Sequence, residues 1–205
     1  MFKLTLQEIA KKKNVAEPIT LWFVRHGEST ANLQGEKCLV EHDTELTETG
    51  QNEAAQAATY FKDNSIEVSD IYTSPLVRCT QTADIIADKF QLTSYVDNNL
   101  RERQWGELKN HTWKDLATQL DEMDIEERYA FVPEGGESWQ QMESRLFTAI
   151  GTIIEASSGS NIVIVTHKGC LRAILTALSE SGKLHHATHS VKTGSITPYI
   201  LHKNS

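Results

Sequence analysis

Two short apolar segments, far apart in the chain, each lead directly into a histidine. Residues 19–24 (Ile-Thr-Leu-Trp-Phe-Val) are followed by Arg25 and His26, and residues 162–166 (Ile-Val-Ile-Val-Thr) are followed by His167. Short, almost continuous apolar runs rich in valine and isoleucine are typical of strands buried on both faces of a parallel sheet. Ligands of open α/β sheets bind at the carboxyl ends of such strands, so we expect both imidazoles to face one pocket. This pairing indicates an enzyme.

The chain has 205 residues, which is enough for one domain with a full-sized core. Its formal net charge of −8 disfavours binding to nucleic acid or to an anionic membrane. An anionic substrate would therefore need a local group of cations. Six basic residues fall in or beside the motifs described below: Arg25, Arg78, Arg101, Arg103, Lys168 and Arg172.

The cysteines and the N-terminal residues indicate a reducing compartment. Cys38, Cys79 and Cys170 are odd in number and far apart, so we expect no disulfide framework and a cytoplasmic location. The first twenty residues lack the apolar core of a secretory signal, and no apolar stretch has the length of a membrane span. Cys79 and Cys170 are expected to be small packing residues.

Strand and helix patterns alternate along residues 19–205 and predict an α/β fold. We expect a three-layer α/β/α domain with a mostly parallel central sheet and helices on both faces. Residues 70–73 suit a strand, and residues 195–201 suit an edge strand, where Pro198 is tolerated. Residues 1–18 carry only a weak apolar stripe before a lysine run, so we expect an N-terminal extension formed by a loosely packed helix or arm.

Capping residues predict where several helices begin. Thr47 suits the N-cap of one helix, and the S-x-x-Q sequence that starts at Ser138 has the form of a capping box. Ser74 and Pro75 predict another start, with a hydroxyl cap followed by proline at the first helical position. A further helix is expected after Gly169. The expected buried residues of the helix after Pro75 are Leu76, Val77, Ile85 and Ile86.

The residues at these predicted strand and helix ends suit a phosphate site. Such a site needs positive charge, N–H donors, a nucleophile or activated water, and an acid for the leaving oxygen. Arg25 and His26 stand at one strand end, and Arg78 lies in the first turns of the helix predicted after Pro75. A charge-assisted hydrogen bond contributes about 1.5–3 kcal/mol, and a helix terminus contributes about 0.3–1 kcal/mol. The arginines are therefore expected to dominate anion binding.

The two histidines suit different roles in phosphoryl transfer. Because the ordinary pKa of imidazole is about 6.5, His26 can be neutral at neutral pH and attack phosphorus with its lone pair. The resulting phosphohistidine could later be hydrolysed by water. His167 would act as a cationic donor, because negative phosphoryl oxygens favour its imidazolium form. With charge supplied by Arg25, Arg78 and His167, we expect no metal and no cofactor.

Five sequence blocks together resemble the histidine phosphatase superfamily, also called the phosphoglycerate mutase-like family. They stand in the family's order and cover the chain from about residue 20 to its end. A lone Arg-His-Gly would be weak evidence, whereas the ordered set is specific. The blocks are residues 25–29 (RHGES) with Asn32 following, 74–83 (SPLVRCTQTA), 100–106 (LRERQWG), 133–138 (PEGGES) and 165–169 (VTHKG).

This resemblance implies a role for each residue that matches the family's motifs. His26 would be phosphorylated, and Glu102 would donate the proton to the leaving oxygen. Arg25, Arg78 and His167 would hold the phosphoryl group. The backbone that follows the second histidine would also line the pocket. The lining side chains that the resemblance implies are Ser29 and Asn32.

One residue departs from the family pattern beside the second histidine. Glycine is usual at that position, whereas Lys168 stands here and adds a cation near the pocket. Lys168 and Arg103 are therefore candidates for substrate binding. A phosphate or carboxylate in addition to the reacting phosphate is a hypothesis that follows from Lys168.

The acidic insert over residues 107–133 bears on the choice between a phosphatase and a mutase. The phosphoglycerate mutases usually carry paired arginines in a longer insert, whereas Arg128 is the only arginine in this one. Its carboxylates would repel an acidic substrate if they faced the pocket. We therefore favour a phosphomonoesterase that hydrolyses a small phosphorylated metabolite. Five of these carboxylates lie close together, namely Asp121, Glu122, Asp124, Glu126 and Glu127.

Two other functions remain open at this point. One is a cofactor-dependent phosphotransferase of the phosphoglycerate mutase type, and the other is a catalytically silent module that binds phosphate or a protein. The intact set of two histidines, two arginines and Glu102 argues against a silent module, because binding alone does not need it.

His185, His186 and His189 could share a metal ion, but no cysteine or carboxylate stands close to them, so we expect a solvated loop.

Overall fold

A mixed, mostly parallel sheet forms the centre of the computed structural model, which describes residues 2–13, 17–35, 41–179 and 191–202. Within these residues the strands lie in the order β3-β2-β4-β1-β5, and all neighbours are parallel except β1 and β5. The predicted edge strand near the C-terminus is confirmed. The strands are β1 (Ile19–Arg25), β2 (Asp70–Thr73), β3 (Ser94–Val96), β4 (Asn161–Thr166) and β5 (Ile196–Leu201).

Helices cover both faces of this sheet, as the sequence predicts. One hydrophobic core contains residues of α1, α7 and α8, and a second core contains residues of α3 and α4. The described α-helices are α1 (Phe2–Lys12), α2 (Thr30–Leu33), α3 (Glu48–Asp63), α4 (Val77–Phe90), α5 (Trp113–Asp121), α6 (Ile125–Ala130), α7 (Trp139–Ala156) and α8 (Lys168–Leu178).

Strand β4 shows why the central strands carry almost continuous apolar runs. Ile162 and Ile164 lie in the core beneath α7 and α8, whereas Val163 and Val165 lie in the core beneath α3 and α4. Because successive side chains of a strand point to opposite faces, a strand between two helical layers buries all of them. The apolar run at residues 162–166 is therefore correctly interpreted as a two-sided buried strand.

The predicted caps of α3 and α7 are confirmed. The Thr47 hydroxyl accepts a hydrogen bond from the Gly50 backbone N–H at 3.0 Å. Ser138 and Gln141 form a reciprocal capping box, with the two hydrogen bonds at 3.0 and 2.8 Å. These caps satisfy backbone donors that would otherwise have no partner in the first helical turn.

The predicted start of α4 is wrong, because the helix begins at Val77 rather than at Pro75. The Ser74 hydroxyl lies 2.7 Å from His167 Nε2 and does not cap α4. The Asp43 carboxylate instead accepts hydrogen bonds from the Val77 backbone N–H at 3.0 and 3.1 Å. A residue distant in sequence therefore supplies the anion at this helix terminus.

The predicted buried face of α4 is also only partly correct. Small side chains, Cys79 and Ala83, pack against the sheet together with Ile86, so α4 lies close to the strands. Of the four residues expected to be buried, only Ile86 is. Leu76 and Val77 at the start of α4 and Ile85 in its middle are half-buried.

A helix is present in the N-terminal extension, at Phe2–Lys12, but the prediction that it packs loosely is wrong. Leu6 and Ala10 of α1 are buried in the core formed with α7 and α8. Gly151 of α7 makes this approach possible, because a Cβ atom there would lie 3.0 Å from the Ile9 side chain. The Lys13 ammonium then donates to the Ile154 carbonyl at the end of α7 at 2.5 Å.

The acidic insert contains a 3₁₀ turn at Gly106–Asn110 followed by α5 and α6. Leu116 of α5 packs on Trp105 in a small core of its own. Among the described helices, none is long and apolar enough to cross a lipid bilayer. Cys38 and the three histidines at positions 185, 186 and 189 lie outside the described residues.

Candidate active site

A cleft of about 440 Å³ opens at the carboxyl ends of the parallel strands, and it collects the residues that the sequence singles out. His167 is fully buried and lies beside it, with its ring centroid 5.3 Å from that of His26. The structure therefore brings together all nine predicted residues. The eight that line the cleft are Arg25, His26, Ser29, Asn32, Arg78, Glu102, Arg103 and Lys168.

Backbone contacts fix the position of His26 at the end of β1. Its N–H donates to the Thr166 carbonyl at 3.0 Å, which continues the pairing of β1 with β4. The next residue, Gly27, passes so close to α3 that a Cβ atom would lie 2.3 Å from the Gly50 carbonyl oxygen. The Gly27 N–H donates to the Thr82 hydroxyl at 3.1 Å, so α4 also holds this loop.

The hydrogen bonds of His26 determine its tautomer. Nδ1 lies 2.7 Å from the Gly27 carbonyl oxygen, which can only accept, so Nδ1 carries the proton. Nε2 lies 3.3 Å from Arg78 Nε, which can only donate, so Nε2 carries the lone pair. Burial lowers the pKa of His26 well below its usual value, and the charges of Arg78 and Arg25 lower it further. The ring is therefore neutral, and the lone pair of Nε2 has a fixed orientation.

His167 is also neutral in this arrangement. Arg78 Nη2 lies 3.2 Å from Nδ1 and can only donate, so the remaining proton lies on Nε2 and is donated to the Ser74 hydroxyl. Burial, followed by the charge of Arg78, lowers the pKa of His167 well below its usual value. The predicted imidazolium thus requires a proton to arrive with the anionic group. The cationic role of His167 stays a prediction.

Arg78 links the two histidines through different nitrogens of one guanidinium. Its Nη1 also donates to the His42 carbonyl at 3.1 Å and to the Asp43 carboxylate at 3.2 Å. Only about a tenth of the Arg78 side chain is exposed. These four contacts hold the guanidinium in one orientation. A bound phosphoryl group would therefore meet a cation that does not need to reorient.

The carboxylate of Glu102 lies beside the first turn of α8 and is held there by backbone N–H groups. Oε2 accepts from the Gly169 N–H at 3.0 Å, and Oε1 accepts from the Arg103 N–H at 3.0 Å. A Cβ atom at Gly169 would lie 2.3 Å from Oε1, so glycine is required for this approach. The Cys170 thiol also lies 3.8 Å from Oε1. Oε2 keeps a second lone pair that can exchange a proton with a substrate in the cleft.

A half-buried ion pair supports the segment that carries Glu102. Arg145 of α7 binds both carboxylate oxygens of Glu137, at 2.8 Å from Nε and 2.5 Å from Nη2. The same guanidinium donates to the carbonyls of Asn99 at 2.6 Å and Glu102 at 3.2 Å. Glu137 also accepts from the Gln104 N–H at 3.0 Å. The pair therefore holds the backbone on both sides of the proposed acid.

Arg103 serves chiefly to hold the cleft wall together. Its Nε and Nη2 donate to the carbonyls of Glu137 and Phe131 at 2.9 and 2.8 Å. The guanidinium carbon lies 4.1 Å from the ring centroid of Trp105 and 5.5 Å from that of Trp139. Burial lowers the pKa of Arg103 to about 10, so it stays cationic at neutral pH. Its predicted contact with substrate remains a prediction.

Three other cations lie on the cleft near the first turn of α8. Arg25 is mostly buried, and its Nη1 donates to the Val191 carbonyl at 2.7 Å. Lys168 is exposed and Arg172 is half-buried, and both line the cleft. Burial lowers the pKa of Lys168, and the charges of Arg172 and Arg25 act in the same direction.

The two described cysteines are packing residues, as predicted. Both are fully buried, and burial raises the pKa of Cys79 to about 12 and that of Cys170 well above its usual value. Neither is a thiolate at neutral pH, so neither is a nucleophile. Among the described residues, no group of three or more histidine, cysteine or carboxylate side chains is placed to hold a metal ion.

Several residues that shape the site escape analysis of the sequence. Ser74 orients His167, Thr82 and Asp43 fix the loop and the guanidinium, and Glu137 with Arg145 supports Glu102. Glu137 lies within the fourth motif block, residues 133–138, so the sequence motif could have identified it. Asp43 carries no motif, and its role depends on a contact across 35 positions.

The carboxylates of the insert do not face the cleft. The five named above are all exposed, and none is among the residues that line it. Trp113, which is 39% exposed, is the insert residue that borders the cleft. Arg128 is not among the lining residues and instead donates to the Leu120 carbonyl and Asp121. The expected repulsion of an acidic substrate is therefore absent, and so is an insert arginine to bind one.

Comparison with known proteins identifies relatives over almost the whole chain. The family model described as histidine phosphatase superfamily (branch 1) matches residues 21–204. The chain is 32% identical over 188 residues to the metal-independent phosphoserine phosphatase of Arabidopsis thaliana, covering 86% of this chain and 76% of that protein. It is 30% identical over 183 residues to the 2,3-bisphosphoglycerate-dependent phosphoglycerate mutase of Thermoplasma acidophilum, covering 85% and 84%.

Solved structures agree with the fold described above. The mycobacterial glucosyl-3-phosphoglycerate phosphatase, in a complex with VO3, superposes with a TM-score of 0.74 and 25% identity, covering 88% of this chain and 90% of that one. A Bacillus stearothermophilus protein, YhfR, gives a TM-score of 0.75 at 25% identity, covering 88% and 90%. The predicted phosphoglycerate mutase-like α/β fold is thereby confirmed.

The neutral, buried histidines predict how the stability of the fold depends on pH. In the unfolded chain they titrate near pH 6.5, whereas the folded state holds their pKa values lower. Below about pH 6.5 the unfolded chain therefore binds more protons, and the free energy of unfolding falls by up to about 1.4 kcal/mol per pH unit for each histidine. We expect urea denaturation from pH 7 to pH 5 to show a shallower decline for His167→Asn than for the wild type.

The matched control is His111→Asn, which replaces an exposed histidine outside the cleft and should decline like the wild type. Parallel declines for the wild type and His167→Asn would show that His167 is not held neutral in the fold.

Proposed function

The chain belongs to the histidine phosphatase superfamily (branch 1), and from this membership and the site geometry we propose that it is a metal-independent phosphomonoesterase acting through phospho-His26. The substrate is a small phosphorylated metabolite, for which a cleft of about 440 Å³ has a suitable size. The observation that carries this proposal is the Nε2 lone pair of His26, fixed beside Arg78 by the Nδ1 hydrogen bond to Gly27.

In the first step, His26 Nε2 attacks phosphorus and the bond from phosphorus to the ester oxygen breaks. Glu102, protonated, gives its proton to the leaving oxygen, so the products are the free alcohol, phospho-His26 and a carboxylate. Arg25 and Arg78 neutralise the phosphoryl oxygens, which is the largest contribution to catalysis in phosphoryl transfer. His167 becomes a donor to the same group by taking the proton that a monoanionic phosphomonoester brings with it, and it returns this proton to the inorganic phosphate that leaves.

In the second step, a water molecule attacks the phosphorus of phospho-His26. The Glu102 carboxylate takes a proton from that water, the phosphorus–nitrogen bond breaks, and inorganic phosphate leaves. His26 recovers its lone pair and Glu102 its proton, so the cycle closes with water as the only co-reactant. The N–H groups of Gly169 and Arg103 keep the carboxylate in place for both transfers.

A phosphotransferase of the mutase type is the second candidate. It is favoured by relatives that bear that name, at an identity similar to that of the named phosphatases. Hydrolysis is favoured because no insert arginine borders the cleft, so the feature that holds the substrate carboxylate in the mutases is missing here.

The cytoplasmic location inferred from the sequence stays part of this proposal.

Replacing the nucleophile tests the proposed function most simply. We expect the wild type to hydrolyse p-nitrophenyl phosphate in the presence of EDTA, because arginines and not a metal supply the positive charge. His26→Ala should lower kcat by about a thousandfold or more, as removal of a nucleophile does. His111→Ala, an exposed change outside the cleft, is the control and should match the wild type.

Near-normal turnover by His26→Ala would remove His26 from the nucleophilic role. Turnover that EDTA abolishes would contradict the metal-independent mechanism. Hydrolysis that appears only after addition of a bisphosphorylated primer would favour the mutase.

The role of Glu102 is tested by the leaving group. Glu102→Gln should lower kcat/KM for an alkyl phosphate by about 10²–10⁴-fold, because the alkoxide needs a proton, and should affect p-nitrophenyl phosphate far less. The quantity kcat/KM reports the first step, so loss of the base in the second step does not obscure the comparison. Glu107→Gln changes an exposed carboxylate nearby and serves as the control. An equal loss for both substrates would argue that Glu102 is not the acid.

A further inference from the structure

Strand β4 ends in a polar residue at a fully buried position. The four residues before Thr166 are apolar and buried, and Thr166 itself is buried to the same degree. Valine has nearly the same shape as threonine and would suit such a strand. A buried hydroxyl is unfavourable unless it forms a hydrogen bond. The hydroxyl of Thr166 is therefore expected to make a specific contact.

That contact is with the segment that carries the proposed acid. Thr166 Oγ1 donates to the Leu100 carbonyl oxygen at 2.7 Å, and Leu100 is fully buried in the core that α7 and α8 form. The Cys170 thiol lies farther from the same oxygen, at 3.9 Å. Glu102, which lines the cleft, follows two residues after Leu100. The Thr166 hydroxyl thus holds the chain at the point where it leaves the core for the cleft.

The backbone of Thr166 is also connected to both histidines. Its carbonyl oxygen accepts a hydrogen bond from the His26 N–H at 3.0 Å, and His167 is the next residue of the chain. One residue therefore joins the proposed nucleophile, the second histidine and the segment of the acid. The links to the histidines use the backbone, whereas the link to Leu100 uses the side chain. A change of the side chain can therefore test the last link separately.

We propose that Thr166 is a positioning residue for the general acid, and that its hydroxyl sets the distance between the Glu102 carboxyl group and the leaving oxygen. This inference rests on the proposed function, in which Glu102 protonates that oxygen. Proton transfer requires the two groups to be within hydrogen-bond reach. Because a displacement of about 1 Å can cost about 10²-fold in rate, a residue that does not line the cleft can control this step.

Thr166→Val removes the hydroxyl and keeps the branched shape. We expect kcat/KM for an alkyl phosphate to fall by about tenfold or more, because a misplaced acid protonates the leaving alkoxide poorly. The value for p-nitrophenyl phosphate should fall far less, because p-nitrophenolate leaves without a proton. Thr166→Ser keeps the hydroxyl and should keep the wild-type ratio of the two values. A purely structural role would lower both values together.

Thr176→Val of α8 is the matched control. Thr176 is also buried, and its hydroxyl has no hydrogen-bond partner within the described part of the chain, so the same change should leave both values as in the wild type.

Thr166→Ser and Thr166→Ala form a second pair that differs by the hydroxyl. The space left by the missing methyl group allows water to reach the Leu100 carbonyl, so this pair does not leave that oxygen without a partner. The ratio for Thr166→Ala should fall below that for Thr166→Ser. The pair gives the comparison even if Thr166→Val does not fold.

A double-mutant cycle assigns the effect to the acid. In the Glu102→Gln background, Thr166→Val should leave kcat/KM for the alkyl phosphate almost unchanged, because no acid remains to be misplaced. A full additional loss in that background would overturn the inference, since Thr166 would then act through another group.

Equal losses for the two substrates, or a wild-type ratio in both Thr166→Val and Thr166→Ala, would also overturn it. Failure of the proposed function has a different signature: the wild type would not hydrolyse p-nitrophenyl phosphate, or Glu102→Gln would itself leave the ratio unchanged. A ratio that changes in Glu102→Gln but in neither threonine variant would refute the positioning role alone.

Discussion

The parallel pairing of β1 with β4 is the constraint on which the site depends. Its register places Arg25 opposite Thr166 and continues into the hydrogen bond from the His26 N–H to the Thr166 carbonyl. Both strands therefore end at the same level, and the next residues along them are His26 and His167, with ring centroids 5.3 Å apart. A shift of one residue would turn each side chain to the other face of the sheet. The buried layers on both faces exclude such a shift.

The histidines and the arginines have different electrostatic roles at the site. Burial and the neighbouring guanidinium groups keep both rings neutral, which gives His26 its lone pair. Arg78 contacts both rings and is itself held by the Asp43 carboxylate, which also accepts from the first N–H of α4. Positive charge is thus fixed at the place where negative charge would gather in the phosphoryl transfer proposed here.

Patterns along the chain predict those parts of the fold that depend on local sequence. The predictions for the buried strands β1 and β4 and for the helix caps Thr47 and Ser138 are correct, because these features depend on residues close together in the chain. Contacts between distant residues produced the errors: Ser74 bonds to His167 and does not cap α4, and Leu6 of α1 is buried in the core formed with α7 and α8. The short strand β3 has no distinctive pattern. The motif blocks located the site, but the three-dimensional contacts show what orients each side chain.

Trapping the phosphoenzyme shows whether His26 is the residue that becomes phosphorylated. The wild type would be mixed with p-nitrophenyl phosphate, quenched within milliseconds in alkali, where phosphohistidine survives, and digested for mass spectrometry. If phospho-His26 is the intermediate, one added phosphoryl group is expected on the peptide that contains His26, and it should disappear on longer incubation as water completes the cycle. A phosphoryl group on any other residue, or turnover without a trapped phosphoenzyme under conditions that preserve phosphohistidine, would rule out this role of His26.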